Sequence, residues 1–108
     1  MITYNIAKEY TDIPGPRYRS EGIFSGEDFR ETILLKLVER AKTEQEKILI
    51  DLDGGYGYPT SFLEEAFGGL IRVLKDKTIN ELIEFKSDEE PALIEEIEEY
   101  MRRETEKL

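Results

Sequence analysis

Residues 47–71 read KILIDLDGGYGYPTSFLEEAFGGLI, and this stretch decides the fold. It joins a short isoleucine-rich run at 47–52, a glycine-rich turn, and an amphipathic segment. A run of this length and composition is typical of a central, fully buried strand. We therefore predict strand, turn and helix in that order. In sheets covered by helices, the usual ligand crevice lies at the carboxyl end of such a strand and the start of the following helix.

The amphipathic segment after the turn has the sequence features of a buried helix. Ser61 and Glu64 form a capping-box pattern at its start. Gly68 and Gly69 in its interior each cost about 1 kcal/mol relative to alanine, which predicts a close approach to the sheet. The residues that mark its buried side are Phe62, Leu63, Ala66, Phe67, Leu70, Ile71 and Leu74.

Helix and strand patterns alternate in the remaining chain. Ile2, Tyr4 and Ile6 have the period of two of a half-buried outer strand, and residues 82–85 suggest a further strand. Residues 11–22 hold two prolines and two glycines and are predicted to form a loop, with a short strand between Tyr18 and Phe24 also considered. A helix is expected to begin at Ser25, capped through Asp28, and another to follow residues 88–90. The first of these helices should bury the stripe of Phe29, Ile33, Leu37 and Ala41, with Leu34 and Val38 beside it. Its charged residues, Arg30 among them, should lie mostly opposite.

These patterns predict one α/β domain over residues 1–108. The expected sheet is mostly parallel or mixed, with about four strands, and about three helices pack on it.

The composition excludes several kinds of chemistry. The chain has no cysteine and no histidine, so thiolate zinc sites, cysteine nucleophiles and histidine-based triads are impossible. The net charge of −10 opposes nucleic-acid binding. No basic leader or long apolar segment is present, so a cytoplasmic protein without a membrane or nucleic-acid partner is expected, and no cofactor is indicated.

Four carboxylates are candidates for chemistry at the predicted crevice. Asp51 and Asp53 share one side of the strand end, and Glu64 and Glu65 follow in the next helix. Such a group could bind Mg²⁺ or divide acid and base roles. Alternatively, Asp53 caps the turn and Glu64 closes the capping box.

Thr60 and Ser61 stand where the helix begins. One hydroxyl could cap the helix, worth about 1 kcal/mol. Either could instead accept a phosphoryl group, which would gain from the helix dipole and lose from repulsion by Asp53, Glu64 and Glu65. Because these effects are of similar size, such a site could act as a switch.

Four further residues are candidates for recognition. Arg17 and Arg19 could pair with the crevice carboxylates or bind an anion. Tyr56 and Tyr58 flank Gly57 in a flexible turn and suit protein recognition, although packing of their rings over the sheet edge is an equal alternative.

The strings PGPRYRSEG, SGEDFRE and IDLDGGYGYPTSFLEEAFGGLIR, within residues 14–72, resemble the STAS-like domains of unknown function (DUF4325). The resemblance implies a compact sheet with helices mainly on one side, distantly similar to the STAS domains of anti-sigma factor antagonists. In that related group a serine at the matching position, here Thr60 with Ser61 beside it, is phosphorylated by a partner kinase. The sequence differs from the antagonist pattern at Pro59, where an aspartate is usual, and at Phe62, where a glycine is usual.

The resemblance also implies a partner, because STAS-like proteins look like companions of ATP-binding histidine-kinase-type proteins. The leading hypothesis is therefore a non-enzymatic interaction domain regulated at Thr60 or Ser61. Its contact residues are predicted to be Arg17, Arg19, Tyr56, Tyr58, Phe62, Glu64 and Glu65. One alternative is a small Mg²⁺-assisted enzyme that uses Asp51, Asp53 and Glu64, and another is a structural subunit of an oligomer.

Overall fold

A computed structural model describes residues 1–108. Its sheet has three strands, β1 (Ile2–Asn5), β2 (Ile48–Asp51) and β3 (Ile83–Lys86), in the order β1-β2-β3 with all strands parallel. The isoleucine-rich strand is central, as its composition predicts. Its residue Ile48 is in register with Ile2 on one side and Ile83 on the other.

Three long helical segments pack with this sheet. The first joins α2 (Gly26–Phe29), a π-helical turn (Arg30–Leu34) and α3 (Leu35–Glu44), and we call it the 26–44 helix. The second joins α4 (Thr60–Leu63), a second π-helical turn (Glu64–Gly68) and α5 (Gly69–Leu74), and we call it the 60–74 helix. The third is α7 (Ala92–Glu106). Short elements complete the fold: α1 (Ile6–Glu9), a 3₁₀ turn (Arg19–Glu21) and α6 (Ile79–Leu82). None of the helices combines the length and apolar character needed to cross a membrane.

The helices cover one face of the sheet. Ile2, Tyr4 and Ile50 on that face are buried, whereas Thr3 and Glu84 on the other face are exposed. Phe29 of the 26–44 helix lies at the centre of the core. Its ring centroid is 5.0–6.2 Å from the rings of Tyr4, Tyr10, Phe62 and Phe67.

The strand count differs from the expectation of about four. Residues 18–24 do not form a strand: Gly15 N–H donates to the Phe24 carbonyl and Gly26 N–H to the Pro16 carbonyl, which closes the segment into a loop. The backbone hydrogen bonds of this segment are made within the loop, and none is made to the sheet.

The buried stripe of the 26–44 helix also differs from the predicted one. Phe29, Leu34, Val38 and Ala41 are buried, whereas the predicted Ile33 and Leu37 are only half-buried. The step of five from Phe29 to Leu34 spans the π-helical turn, which accommodates one more residue than an α-turn and so rotates the later side chains by about 100°.

Two local predictions for the 60–74 helix are wrong. Ser61 and Glu64 form no capping box, because the N-cap residue is Pro59 and Glu64 is held by arginines. Gly68 and Gly69 do not approach the sheet. A Cβ on Gly69 would lie 2.6 Å from Nη1 of Arg30, and a Cβ on Gly68 would lie 2.6 Å from Oε2 of Glu64. In contrast, the predicted cap at Ser25 is confirmed, since its Oγ accepts from Asp28 N–H at 3.0 Å.

Candidate functional site

A small crevice lies at the carboxyl ends of β2 and β3, where the sequence places it. It has a volume of about 210 Å³ and is lined by the 52–58 turn and by the segment that leads into α7. Three of the predicted site residues line it: Asp53, Tyr56 and Tyr58. The volume is below the ~300–1,000 Å³ typical of small-molecule pockets.

The carboxylate of Asp53 is hydrogen-bonded by protein groups on the opposite side of the crevice and is not presented to a ligand. Its carboxylate accepts from the backbone N–H groups of Asp88 and Glu89, both at 3.0 Å, and from Nζ of Lys86 at 2.9 Å. These donors, first the two backbone groups and then Lys86, lower the pKa of Asp53 from 3.8 to about 2. Asp51 is turned to the local backbone, where it accepts from Asp53 N–H at 3.0 Å. Asp53 therefore caps the 88–89 turn and not the glycine-rich turn that follows its own strand, which is the role weighed from the sequence.

The two glutamates of the 60–74 helix lie in a different cluster. Glu65 is buried, and its Oε2 accepts from Nη1 of Arg30, a buried side chain of the 26–44 helix. The same nitrogen donates to the Glu65 carbonyl oxygen at 3.0 Å, while Nε of Arg30 has no partner. Arg30 opens one π-helical turn and Glu65 lies in the other, so the ion pair joins the two distorted turns.

Glu64 extends this cluster towards the surface. It accepts from Nη1 of Arg17 at 2.5 Å and from Nη1 of Arg72 at 2.6 Å. Arg72 also lies 3.4 Å from the carboxylate of Glu104 in α7. Hydrogen bonds from Arg72, and then from Arg17, lower the pKa of Glu64 against the opposing effect of burial. We call Arg17, Arg30, Glu64, Glu65, Arg72 and Glu104 the ion cluster.

The four carboxylates predicted to share one crevice are thus divided. Asp51 and Asp53 face Lys86, whereas Glu64 and Glu65 face three arginines. No group of three or more carboxylates converges as a metal site requires. The proposed Mg²⁺ set of Asp51, Asp53 and Glu64 is not brought together, because the two aspartates lie beside Lys86 while Glu64 lies between Arg17 and Arg72.

Thr60 is exposed and Ser61 is half-buried at the start of the 60–74 helix. The N-cap position is occupied by Pro59 and no side chain caps this helix, so neither hydroxyl has the capping role weighed from the sequence. The helix therefore presents two hydroxyl groups beside backbone N–H groups that no side chain satisfies.

The other predicted contact residues differ widely in accessibility. Tyr56 is 83% exposed at the tip of the turn. The ring of Tyr58 is half-buried, 6.3 Å from that of Phe62, and its hydroxyl donates to the Leu52 carbonyl at 3.0 Å. Phe62 and Glu65 are buried, so their assignment as contact residues is wrong: Phe62 packs on Phe29, and Glu65 is enclosed by arginines.

Arg17 and Arg19 hold the loop of residues 11–24 against the helices. Arg17 reaches the ion cluster, while Arg19 binds Asp28 and Glu31 of the 26–44 helix. Arg17 thus pairs with two of the four predicted carboxylates, Glu64 and Glu65, whereas Arg19 pairs with none of the four.

The sequence pattern does not reveal two features of this region. It predicts Arg30 on the solvent side of its helix, and it gives no sign of the exposed apolar residues in the 11–24 loop. A signal for Arg30 was present, since the interior Gly69 leaves the space that its guanidinium fills. The outward apolar side chains have no periodic pattern and could not be distinguished from core residues.

Together these features define a small α/β domain with a parallel sheet covered on one face and a turn-and-helix entrance at the strand ends. The family model for STAS-like domains of unknown function (DUF4325) matches residues 25–93, which is more than half of the chain. The chain belongs to this family. No curated protein and no solved structure matches the chain significantly.

Proposed function

We propose that this chain is a non-enzymatic regulatory domain that binds another protein through the 54–61 turn and helix entrance. The partner class that we propose is an ATP-binding, histidine-kinase-type protein. Phosphorylation of Thr60 or Ser61 switches the binding, and the contact takes place in the cytoplasm. The observation that carries the proposal is a pair of hydroxyls at a helix start that cap nothing, beside an exposed tyrosine.

The free hydroxyls support a phosphoacceptor role. A capping hydroxyl is engaged by the backbone and would have to break that bond to be modified. Neither Thr60 nor Ser61 has that constraint. A phosphate at either position would face unpaired N–H groups and the positive end of a helix that continues to Leu74.

The ion cluster reduces the repulsion that a phosphate would otherwise meet. Glu64 lies one turn after Thr60, and its charge is shared by Arg17 and Arg72. Asp53 is likewise neutralised by Lys86. The favourable effect of the helix start is therefore less opposed than the acidic sequence suggests, and a modified residue can be accommodated without unfolding the helix.

Site-specific photo-crosslinking in the native cell tests the proposal. Replacement of Tyr56 by p-benzoylphenylalanine keeps an aromatic side chain at an 83% exposed position. The matched control carries the same group at Val73, which is 54% exposed. Val73 is about 20 Å along the helix from Thr60 at a rise of ~1.5 Å per residue.

We expect one protein with an ATP-binding domain to crosslink from position 56 and not from position 73. We also expect intact-mass analysis of the chain purified from those cells to show a phosphorylated form at residue 60 or 61. Crosslinking that is equal from both positions, or absent from position 56, contradicts the binding surface. A purified chain without any phosphorylated form contradicts the switch.

A further inference from the structure

The guanidinium of Arg17 has two nitrogens that the protein does not use. Its Nη1 donates to Oε1 of Glu64 at 2.5 Å and to Oε1 of Glu65 at 3.2 Å. One nitrogen makes both bonds, and Nε and Nη2 donate to no other group of the chain. The side chain of Arg17 is 30% exposed. An arginine binds a phosphate through two parallel N–H groups, and the free edge of Arg17 offers such a pair.

The two carboxylates that hold Arg17 lie next to Ser61. On a helix surface, a residue neighbours those three and four positions away, and Glu64 and Glu65 occupy these positions after Ser61. Helical side chains incline towards the helix start, which brings both carboxylates over the turn that contains Ser61. Thr60 is five positions before Glu65 and neighbours only Glu64. Of the two hydroxyls, it is therefore Ser61 that helix geometry places beside the Arg17 guanidinium.

The backbone of Arg17 is fixed beside the same turn. Its carbonyl accepts from Glu27 N–H at 3.0 Å, and the carbonyl of Pro16 accepts from Gly26 N–H at 2.9 Å. Gly26 in turn packs so closely on the 60–74 helix that a Cβ there would lie 2.5 Å from the Phe62 carbonyl oxygen. These contacts bring the loop to the helix at the level of Phe62, the residue that follows Ser61.

Arg17 can bind a further anion without leaving a carboxylate unpaired. Glu64 keeps Nη1 of Arg72 at 2.6 Å, and the buried Glu65 keeps the buried Arg30. Both carboxylates are thus neutralised independently of Arg17. A phosphate beside them would add a charge of about −1.5 to −2, which the Arg17 guanidinium is positioned to offset.

We propose that Arg17 binds a phosphate on Ser61 of the same chain through Nε and Nη2, and that Ser61 rather than Thr60 is the regulatory phosphoacceptor. This inference rests on the proposed function and names the residues that carry its switch. The phosphoryl group comes from ATP: its terminal P–O bond breaks as the bond to Ser61 Oγ forms, and ADP and the hydroxyl proton are released. Because Arg17 belongs to the 11–24 loop, the contact ties that loop to the helix entrance in the phosphorylated form.

Phosphoserine incorporated genetically at position 61 tests the proposal without the partner. Phosphorus-31 NMR measures the second pKa of the phosphate, which should fall from its usual value of about 6 to about 5.5 or lower, because a guanidinium favours the dianion. Arg17→Met should raise this pKa by about 0.5 or more, and Arg17→Lys, which keeps the charge, should raise it less. Arg19→Met, the matched control, removes the other arginine of the loop and should leave the pKa unchanged.

Phosphoserine at position 60, in place of Thr60, is the control for the choice of hydroxyl. Its pKa should respond to Arg17→Met less than half as strongly as the pKa at position 61. Melting temperatures check that each variant is folded. A second measurement needs no substitution of Arg17: the NMR signal of its Nε–H should shift when position 61 carries the phosphate.

Three results would overturn the proposal. They are a pKa at position 61 that does not respond to Arg17→Met, equal responses at positions 60 and 61, and an Arg17 Nε–H signal that the phosphate leaves unchanged. Each would leave the crosslinking from position 56 and the intact-mass result as expected. Conversely, failure of the crosslinking would contradict the proposed function and leave the contact in the phosphoserine protein measurable.

Discussion

Breaking the buried ion pair between Arg30 and Glu65 should destabilise the protein strongly, whereas replacing both of its members should change stability little. Glu65→Leu leaves the Arg30 guanidinium buried without a carboxylate, and its Nε already has no partner. Removing one member of a buried pair costs about 3–5 kcal/mol. Arg30→Met should cost less, about 2 kcal/mol, because Glu65 keeps Arg17 at 3.2 Å and Arg72 at 3.5 Å.

The double variant Arg30→Met/Glu65→Leu removes both charges and fills the space with apolar atoms. Replacement of a buried ion pair by apolar residues is often close to neutral. The double variant should therefore lie within about 1 kcal/mol of the wild type, far from the sum of the two single losses. Urea unfolding followed by far-ultraviolet circular dichroism measures all three free energies of unfolding, and the slopes should be equal.

The exposed pair Arg40–Glu44 is the matched control, since it joins the same residue types one turn apart on the surface. Arg40→Met/Glu44→Leu and each of its single variants should change the free energy of unfolding by less than about 0.5 kcal/mol. A loss below about 1 kcal/mol for Glu65→Leu, or a double variant as unstable as the sum of the singles, would refute the reasoning.

Three further predictions concern the core, the helix contact and the crevice. Phe29→Ala should lower the free energy of unfolding in urea by about 3–5 kcal/mol, because four aromatic rings surround Phe29. Tyr56→Ala, at the exposed turn, should lower it by less than about 0.5 kcal/mol. Equal losses for the two variants would contradict the assigned core. Gly26→Ala should lower the melting temperature, since its Cβ would lie 2.5 Å from the Phe62 carbonyl oxygen. Gly22→Ala, with only ordinary contacts to Pro16, should leave the melting temperature unchanged. A Gly26→Ala protein as stable as the wild type would exclude the close contact between the 26–44 helix and the 60–74 helix. Folding lowers the pKa of the Asp53 carboxyl group to about 2. The ionised carboxylate therefore stabilises the folded state fully above pH ~4, and this contribution is lost as pH falls through about 2. The stability difference between the wild type and Asp53→Asn should therefore shrink over that interval in acid titrations of the melting temperature, and a difference that is constant with pH would show that the Asp53 carboxylate is not stabilised by folding.

The sequence predicts the order of elements well and their local distortions poorly. The strand at 47–52 and the strand at 82–85 are observed within a residue or two, because short runs that contain β-branched or aromatic residues favour a strand over a helix. The π-helical turns are not foreseen, since a search for a period of 3.6 assumes regular helices. The additional residue in the first π-helical turn moves the buried stripe to Leu34 and Val38, which leaves Ile33 and Leu37 only half-buried.

The candidate site is only partly predictable, because some of its contacts join residues that are far apart in the chain. The exposure of Thr60 and the crevice beside Asp53 follow from the strand–turn–helix order. The ion cluster depends on contacts between residues far apart in the chain, such as Arg17 with Glu64. Helical spacing indicates a partner for Arg40, which pairs with Glu44 one turn later, but no such spacing relates Arg17 to Glu64.

The most direct test of the proposed switch uses phosphomimetic variants of this chain. It measures how tightly each variant binds the partner protein that crosslinks from position 56. Thr60→Asp and Ser61→Asp place a negative charge at the helix start, where it should not harm folding. Thr43→Asp, at an exposed position in the 26–44 helix, is the control. We expect Thr60→Asp or Ser61→Asp to change the dissociation constant by about tenfold, or ~1.4 kcal/mol, with the melting temperature unchanged. Affinities equal to that of Thr43→Asp would contradict the switch at this helix entrance.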